Sequence, residues 1–484
     1  MVVGDVTTGT EVLVVGGGPG GYVAAIRAAQ LGLDTTLVEK DAYGGTCLNY
    51  GCIPSKALIS ATDVAHRAGD AEHMGVFANP AVDVEAMMEW KDGVVTRLTR
   101  GVESLCENAG VELVDGVATF TGENEARVAH SGEGQGSETI AFEHAIVATG
   151  SRPVTVPGFE FDGERILSSK DALALESVPE SLLVVGAGYI GMELSTVYQK
   201  LGCDVTVVEM LEEALPGYDQ DVTDIVRGRA EDVGVDFYFG EAASGWEERE
   251  DADGIRVRTE STAQDGDGDE EVAVEEFNAD KALVAVGRRA VTEDLGLDAL
   301  GVETDENGFI PTDDQARTEQ EHVFAVGDVA GEPMLAHLAS KEGEVAAEVI
   351  AGEPSALDYQ AVPAAVFTDP EIGTVGMTAA EAEEAGFDPV VGQMPLRASG
   401  RALTLDEKEG FVKVVADAES EFVLGAQIVA PEASELIGEV GLAIEMGATL
   451  EDMAATIHTH PTLTEAVHEA AMAARGEAIH TANR

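Results

Sequence analysis

Cysteine is scarce, at four in 484 residues, too few for the disulfide framework of a small secreted scaffold. Basic residues are also few: 28 Lys and Arg stand against 91 Asp and Glu, for a formal charge of −63. No basic stripe exists to displace counterions from a nucleic-acid backbone, so that function class is excluded. No apolar run approaches the roughly 18 residues of a membrane-spanning helix. No basic region precedes the first apolar stretch, as a secretory leader would require. A cytoplasmic chain without a membrane span is therefore expected. The acids are spread along every segment instead of gathered in a tail. Together with the low lysine count, this describes a solvated surface suited to molar salt, where charge repulsion is screened within a few ångström.

What is present is glycine, 55 residues of it, in a chain that is 45% hydrophobic and long enough for three or four domains. Residues 11–16 form an apolar strand pattern running into Gly16, Gly18 and Gly21, and an Ala-rich helical stretch follows as far as Gly32. A second strand pattern then ends on Glu39, 18 residues beyond Gly21. The three glycines alone are a weak signal. With strand, helix and acid in place they form a dinucleotide-binding unit, with a pyrophosphate seat at the helix N-terminus and a carboxylate for a ribose hydroxyl.

The whole unit recurs at an offset of 170 residues. Gly186, Gly188, Gly191, Gly202 and Glu209 repeat Gly16, Gly18, Gly21, Gly32 and Glu39 without a gap. Two dinucleotides are expected. Around the second ribose the residues 209–213 are acidic and apolar, where a 2′-phosphate would call for arginine, so NAD is expected over NADP.

Between the first glycine loop and this repeat lies the stretch 44–56, Gly-Gly-Thr-Cys-Leu-Asn-Tyr-Gly-Cys-Ile-Pro-Ser-Lys. Cys47 and Cys52, separated by four residues, can close a small strained ring if one helical turn holds both. Such a short loop removes little chain entropy, so a working disulfide fits better than a structural one. Two buried apolar cysteines, or half of a zinc site, are the alternatives. Cys106 and Cys203 stand alone and no second ligand pair is present, so no metal is expected. Gly44, Gly45 and Gly51 permit close approach of a flat or charged partner, and Lys56 adds a cation one turn past Cys52.

Residues 145–153, containing Thr149 and Gly150, and residues 281–289, containing Gly287, each resemble a strand ending in a tight turn and mark domain boundaries. Residues 265–271 are an acidic run, with Glu276 at the twelfth place of a calcium-type loop. Glu270 occupies the position that needs glycine, so a solvated hairpin is favoured. Residues 322–328 end in Gly-Asp, and Asp328 at a strand's carboxyl end can receive a cofactor hydroxyl or cap a helix. Beyond about residue 355 the glycine fingerprint is absent. Residues 411–415 and 423–429 suggest an antiparallel sheet, and 434–446 a helix. Further on, Thr462 and Glu465 fit a capping box opening a helix to Arg475, with Pro461 holding His460 just outside it. His460 is then either a base oriented by Glu465 or a solvated histidine beside a cap acid.

Taken together, these motifs resemble those of the dihydrolipoamide dehydrogenases, a branch of the FAD-dependent pyridine nucleotide-disulfide oxidoreductases. The resemblance covers nearly the whole chain. It is carried by the stretch 44–56, Ala-Thr149-Gly150, Gly287-Arg-Arg, Val-Gly-Asp328, Met334-Leu-Ala-His337, Phe367-Thr-Asp-Pro-Glu371-Ile-Gly and His458-Thr-His460-Pro-Thr-Leu-Thr-Glu465. The mercuric reductases resemble the first half but have further cysteines at the carboxyl end, where this chain has none. Glutathione reductases have arginines that residues 209–213 lack. Tyr50 lies at a variable family position and decides nothing.

The resemblance implies an α/β fold with two Rossmann-like dinucleotide-binding domains plus a C-terminal α+β interface domain with an antiparallel sheet. The expected boundaries are 1–150 for FAD, 151–285 for NAD, 286–354 for a central domain completing the FAD site, and 355–484 for dimerisation. It implies that electrons from a dihydrolipoyl group enter at Cys47, the exposed interchange thiol, and pass through Cys52 to FAD and then NAD. His460 would be the base, oriented by Glu465 and serving the other subunit of a homodimer, while Lys56 would pair with Glu193 beside the flavin. Gly16, Gly18, Gly21, Glu39, Thr46, Lys56, Thr149, Gly150, Asp328 and Ala336 would hold FAD. Gly186, Gly188, Gly191, Glu209 and Gly287 would hold NAD. A lipoyl-bearing acyltransferase or a glycine cleavage carrier would be the partner. A reductase of other disulfides or of small thiols, and a flavin-binding module without catalysis, are the competing functions.

Overall fold

The computed structural model describes residues 6–131, 136–250, 252–262 and 274–483. The acidic run 265–271 lies outside the described residues. Among those described, no helix is long and apolar enough to cross a membrane.

The chain folds as two compact units, each assembled from separated segments. The first comprises Met1–Val156, Leu167–Ser177 and Val286–Asp358; the second comprises Pro157–Ile166, Val178–Ala285 and Tyr359–Arg484. The expected flavin and central segments thus share one unit, and the expected NAD and interface segments share the other.

In the first unit a parallel sheet runs in the order Glu112–Gly122, Thr35–Glu39, Val6–Val15, Ser137–Val147, Val323–Ala325. Its central strand is buried on both faces, which is why Val12, Leu13 and Val14 form a continuous apolar run rather than an alternating one. Glu125–His130 pairs antiparallel with extensions of its two neighbours. Val323–Ala325 comes from far along the chain and joins through Val323↔Ala145, which ties the central segment to the flavin segment. Helix Pro19–Gln30 packs on helix Ala336–Ile350 through a seam of small residues. A Cβ on Gly343 would lie 2.4 Å from the Gly20 carbonyl oxygen, and one on Gly20 would lie 3.2 Å from that of Ala339. No side chain fits at Gly343 without the helices moving apart, and at Gly20 a methyl group would be tight.

The second unit contains a parallel sheet in the order Asp236–Phe239, Asp204–Glu209, Ser181–Val185, Lys281–Val284. Its own antiparallel three-stranded sheet is Glu241–Glu248, Ile255–Ser261, Val274–Ala279. Residues beyond 360 form a five-stranded antiparallel sheet in which Phe411–Asp417 pairs with Val423–Ala430, and helix Ala433–Glu445 packs nearby. Buried ion pairing joins the two parts of this unit. Lys200 Nζ, its side chain 2% exposed, meets Asp369 Oδ2 at 2.8 Å, and the Phe367 N–H donates to Glu193 at 2.9 Å.

One local expectation is corrected. The helix after His460 is Glu465–Ala474, with Thr464 at its N-cap and no side-chain cap bond. Thr462 keeps half of the expected box, because its N–H donates to Glu465 Oε2 at 2.8 Å. Its hydroxyl instead donates to the Thr459 carbonyl at 2.8 Å, a partner closer to hand than the helix N–H groups.

Candidate active site

Each parallel sheet delivers a glycine loop at the carboxyl end of its first strand. Gly16 adopts φ 106°, in the left-handed region, and Gly186 adopts φ 103°. A Cβ on Gly21 would meet the Gly16 oxygen at 1.8 Å, and one on Gly191 would meet the Gly186 oxygen at 2.0 Å, so helix and loop touch backbone to backbone. Gly18 and Gly188 are the N-caps of helices Pro19–Gln30 and Tyr189–Lys200, and a Cβ on Gly188 would meet nothing within 4 Å. These open helix N-termini are seats for a phosphate group. Glu39 accepts from the N–H groups of Gly17 at 2.6 Å and Asp41 at 2.8 Å. Glu209 does the same with Ala187 at 2.7 Å and Leu211 at 2.9 Å. Both acids therefore brace their own glycine loops. Residues 209–213 are acidic and apolar as read, but helix Gln220–Asp232 brings Arg227 to within 2.5 Å of Glu213. Asp224 and Glu231 also face this guanidinium, leaving it well neutralised.

The cysteine stretch hangs from the first loop. The Gly44 N–H donates to the Gly17 carbonyl at 2.8 Å, and a Cβ on Gly45 would come within 2.6 Å of the Gly18 Cα. Gly44 and Gly45 both have positive φ, 91° and 58°, and this contact is what requires two glycines. Cys47 and Cys52 do not share one helical turn. Cys47 lies in helix Gly45–Tyr50 and Cys52 opens helix Cys52–Gly69, the break falling at Gly51. A Cβ there would sit 3.1 Å from the Thr46 carbonyl oxygen.

The two thiols stand side by side. The Cys47 proton is held far more tightly than in an ordinary thiol, through its hydrogen bond with Cys52 first, then burial and the Cys52 charge, while Lys56 works in the opposite direction. Cys47 is half-buried and Cys52 exposed. Thr46 is exposed and Lys56 half-buried. Lys170 lies 3.7 Å from the Tyr50 ring centroid and 3.5 Å from Asp41, pinning the stretch from outside.

Thr149 and Gly150 follow the end of strand Ser137–Val147. The Thr149 hydroxyl donates to the Val291 carbonyl at 2.6 Å, and Gly150 has φ 69°. Asp328 lies in the short turn Gly327–Val329 and receives the Ser151 hydroxyl at 2.5 Å. Beside it Glu342 accepts the Gly327 N–H at 2.6 Å. Its carboxyl is pushed up by burial, opposed by that N–H, with the Asp328 charge adding to the rise. Ala336 begins helix Ala336–Ile350. Gly287 has φ 126° and its carbonyl accepts from the Val154 N–H at 3.0 Å. Ser151 and Glu342 were not singled out in the sequence, and Arg288 only as part of Gly287-Arg-Arg, because the partners of all three are distant in the chain.

In the second unit Glu193 is buried on helix Tyr189–Lys200; Lys56, its expected partner, belongs to the first unit. His460 is 80% exposed, and its Nδ1 lies 2.9 Å from Glu465 Oε1. Burial raises the Glu465 carboxyl, but the Thr462 N–H and the His460 ring outweigh it and hold the group below the usual carboxylate range. A carboxylate on Nδ1 leaves Nε2 as the outward nitrogen, the arrangement of an oriented base. Two residues earlier, His458 Nε2 meets Glu439 Oε1 at 2.6 Å, which anchors the segment. Sequence spacing placed His458 but not Glu439.

Residues 10–343 match the family described as pyridine nucleotide-disulphide oxidoreductase. Residues 362–471 match its dimerisation domain. A protein named dihydrolipoyl dehydrogenase 2, from Haloarcula marismortui, is 74% identical over 99% of this chain and 100% of its own. Dihydrolipoyl dehydrogenases from Haloferax volcanii and Geobacillus stearothermophilus are 66% and 48% identical, covering 100% and 99% of this chain and 100% and 99% of theirs. Among solved structures, LpdA from Mycobacterium tuberculosis superposes with a TM-score of 0.87 at 28% identity, over 96% of this chain and 99% of its own.

Proposed function

The chain belongs to the pyridine nucleotide-disulphide oxidoreductases, and from that premise we propose that it oxidises protein-bound dihydrolipoamide to lipoamide, with FAD and NAD as cofactors. The observation that carries this reading is the hydrogen-bonded Cys47 and Cys52 pair, hung directly on one of two near-identical nucleotide loops. FAD and NAD, when bound, would supply the two-electron redox chemistry that takes up the electrons of the dithiol.

In its oxidised form the Cys47–Cys52 disulfide meets one substrate thiol, whose proton goes to His460 Nε2 while its sulfur bonds to Cys47 and Cys52 leaves as thiolate. The sulfur of the second substrate thiol then displaces Cys47, which takes that thiol's proton as it leaves, closing the lipoyl ring and leaving Cys47 as thiol and Cys52 as thiolate. Lys56 favours the thiolate form of Cys47 electrostatically. Glu465 holds the His460 ring by its Nδ1 and stabilises the protonated form. Gly16, Gly18, Gly21, Glu39, Thr46, Lys56, Thr149, Gly150, Asp328 and Ala336 would hold FAD. Gly186, Gly188, Gly191, Glu209 and Gly287 would hold NAD. The match of residues 362–471 to a dimerisation domain supports a homodimer in which His460 serves its neighbour's cysteines. A lipoyl-bearing acyltransferase or glycine cleavage carrier delivers the substrate.

Purified protein in molar KCl should reduce NAD with dihydrolipoamide and act far more slowly on other disulfides with NADPH; the reverse preference would overturn the assignment. The shared site is tested by reassociating Cys47→Ser with His460→Ala subunits. One of the two sites in each heterodimer then carries neither lesion, so activity approaching half of wild type is expected. No recovery despite demonstrated subunit exchange would exclude a base acting across the dimer.

A further inference from the structure

Residues 149–154 and 287–291 are far apart in sequence, yet they are laced together in the first unit. Ser151–Pro153 pairs antiparallel with Arg288–Ala290, and the Val291 N–H donates to the Gly150 carbonyl at 2.9 Å. Within this ladder the Arg288 guanidinium grips one residue twice, donating from Nε to Ser151 Oγ at 2.8 Å and from Nη2 to the Ser151 carbonyl at 2.9 Å. Ser151 is buried. Its hydroxyl has one hydrogen, which goes to Asp328 Oδ2 at 2.5 Å, so its lone pairs face the guanidinium. Guanidinium, hydroxyl and carboxylate thus form a chain in which each bond polarises the next. From the other side the Asp328 turn is pinned by the Gly327 N–H on Glu342 at 2.6 Å. Gly327 has φ 74°, and a Cβ there would press on Ala339 at 3.0 Å, so the turn has little freedom to choose another pose.

We propose that Arg288 and Ser151 are positioning residues for Asp328, so that an arginine at the close of the second nucleotide repeat governs the grip on FAD at the first. The inference rests on the reading that the first unit takes FAD through Asp328. Without the Ser151 hydroxyl the carboxylate loses its donor and the guanidinium loses its acceptor, and the aim of Asp328 relaxes. Arg289 next door is exposed and reaches Glu293 at 3.8 Å, which makes it the control.

The test is the rate of FAD release from holoenzyme in molar KCl, followed by the rise in free-flavin fluorescence. Ser151→Ala and Arg288→Met should each release FAD about tenfold faster or more. The double variant should be no faster than the worse single one, since both act through one chain of bonds. Ser151→Thr, which keeps the hydroxyl, should stay within about twofold of wild type, as should Arg289→Met; a merely structural role for the site would not be rescued by threonine. Release from Ser151→Ala within about twofold of wild type, or multiplicative effects in the double variant, would overturn the inference while leaving the FAD reading intact. Wild-type protein that takes up no FAD at all would overturn the FAD reading, and this inference with it.

Discussion

The two glycine loops adopt nearly the same backbone, with φ of 106° at Gly16 and 103° at Gly186 and an acid at each following strand end that accepts two N–H groups. They part at the second loop carbonyl. In the first repeat the Gly17 oxygen receives the N–H of Gly44, which leads into the Cys47 helix; in the second the Ala187 oxygen receives that of Leu215 at 2.9 Å, and no cysteine follows. The same carbonyl secures an insertion in both cases, and only the insertion differs. The fingerprint makes a nucleotide seat, and redox chemistry is installed by what is attached to it.

The sharpest way to break the comparison is to remove the sulfurs of the Cys47 and Cys52 pair, which has no counterpart in the second repeat. Cys47→Ser and Cys52→Ser should each abolish dihydrolipoamide turnover, a loss of at least about a thousandfold, while FAD remains bound as read by its visible absorbance. Flavin-free protein from either variant would show that the insertion also makes the seat.

Next in size is a pair of matched lesions. Gly21→Ala and Gly191→Ala place a methyl group against a carbonyl oxygen at 1.8 Å and 2.0 Å, so helix and loop must separate. Gly21→Ala should weaken FAD binding by about a hundredfold and Gly191→Ala should raise the KM for NAD similarly with FAD retained. Equilibrium dialysis and steady-state kinetics read the two effects. Loss of both ligands from both variants would mean that the repeats are not independent seats.

A smaller effect is expected at the acids. Glu209→Gln removes a buried charge that repels a 2′-phosphate, so the ratio of kcat/KM for NAD over NADP should narrow by about tenfold. Glu39→Gln should leave that ratio unchanged, and equal shifts from both would remove the assignment of the second repeat to NAD. The smallest effect lies on the antiparallel sheet that follows the second repeat. Arg258 pairs there with Glu247 and Glu276 on an exposed face. Arg258→Ala should change stability in molar KCl by less than about 0.5 kcal/mol, because exposed ion pairs are weak and salt screens them further; a larger change in the denaturation midpoint would show that this sheet is held electrostatically.

The sequence by itself determined the two nucleotide repeats, the strand and helix following each, and the antiparallel pairing of Phe411–Asp417 with Val423–Ala430. It also placed His460 near Glu465. Each of these rests on constraints local in the chain: apolar periodicity, a glycine where φ must be positive, or two residues five positions apart. Tertiary structure alone decided that six segments make two units and that the helix breaks at Gly51 between the cysteines. It also decided that Arg227 is occupied by Glu213, that Glu439 answers His458, and that Asp328 is gripped by Ser151 and, through it, Arg288, at sequence separations of 177 and 137 residues. A buried polar group must find a partner, but its own neighbourhood in the chain does not say which one. That choice is made when distant segments pack, because only then do the competing donors and the excluded water become definite.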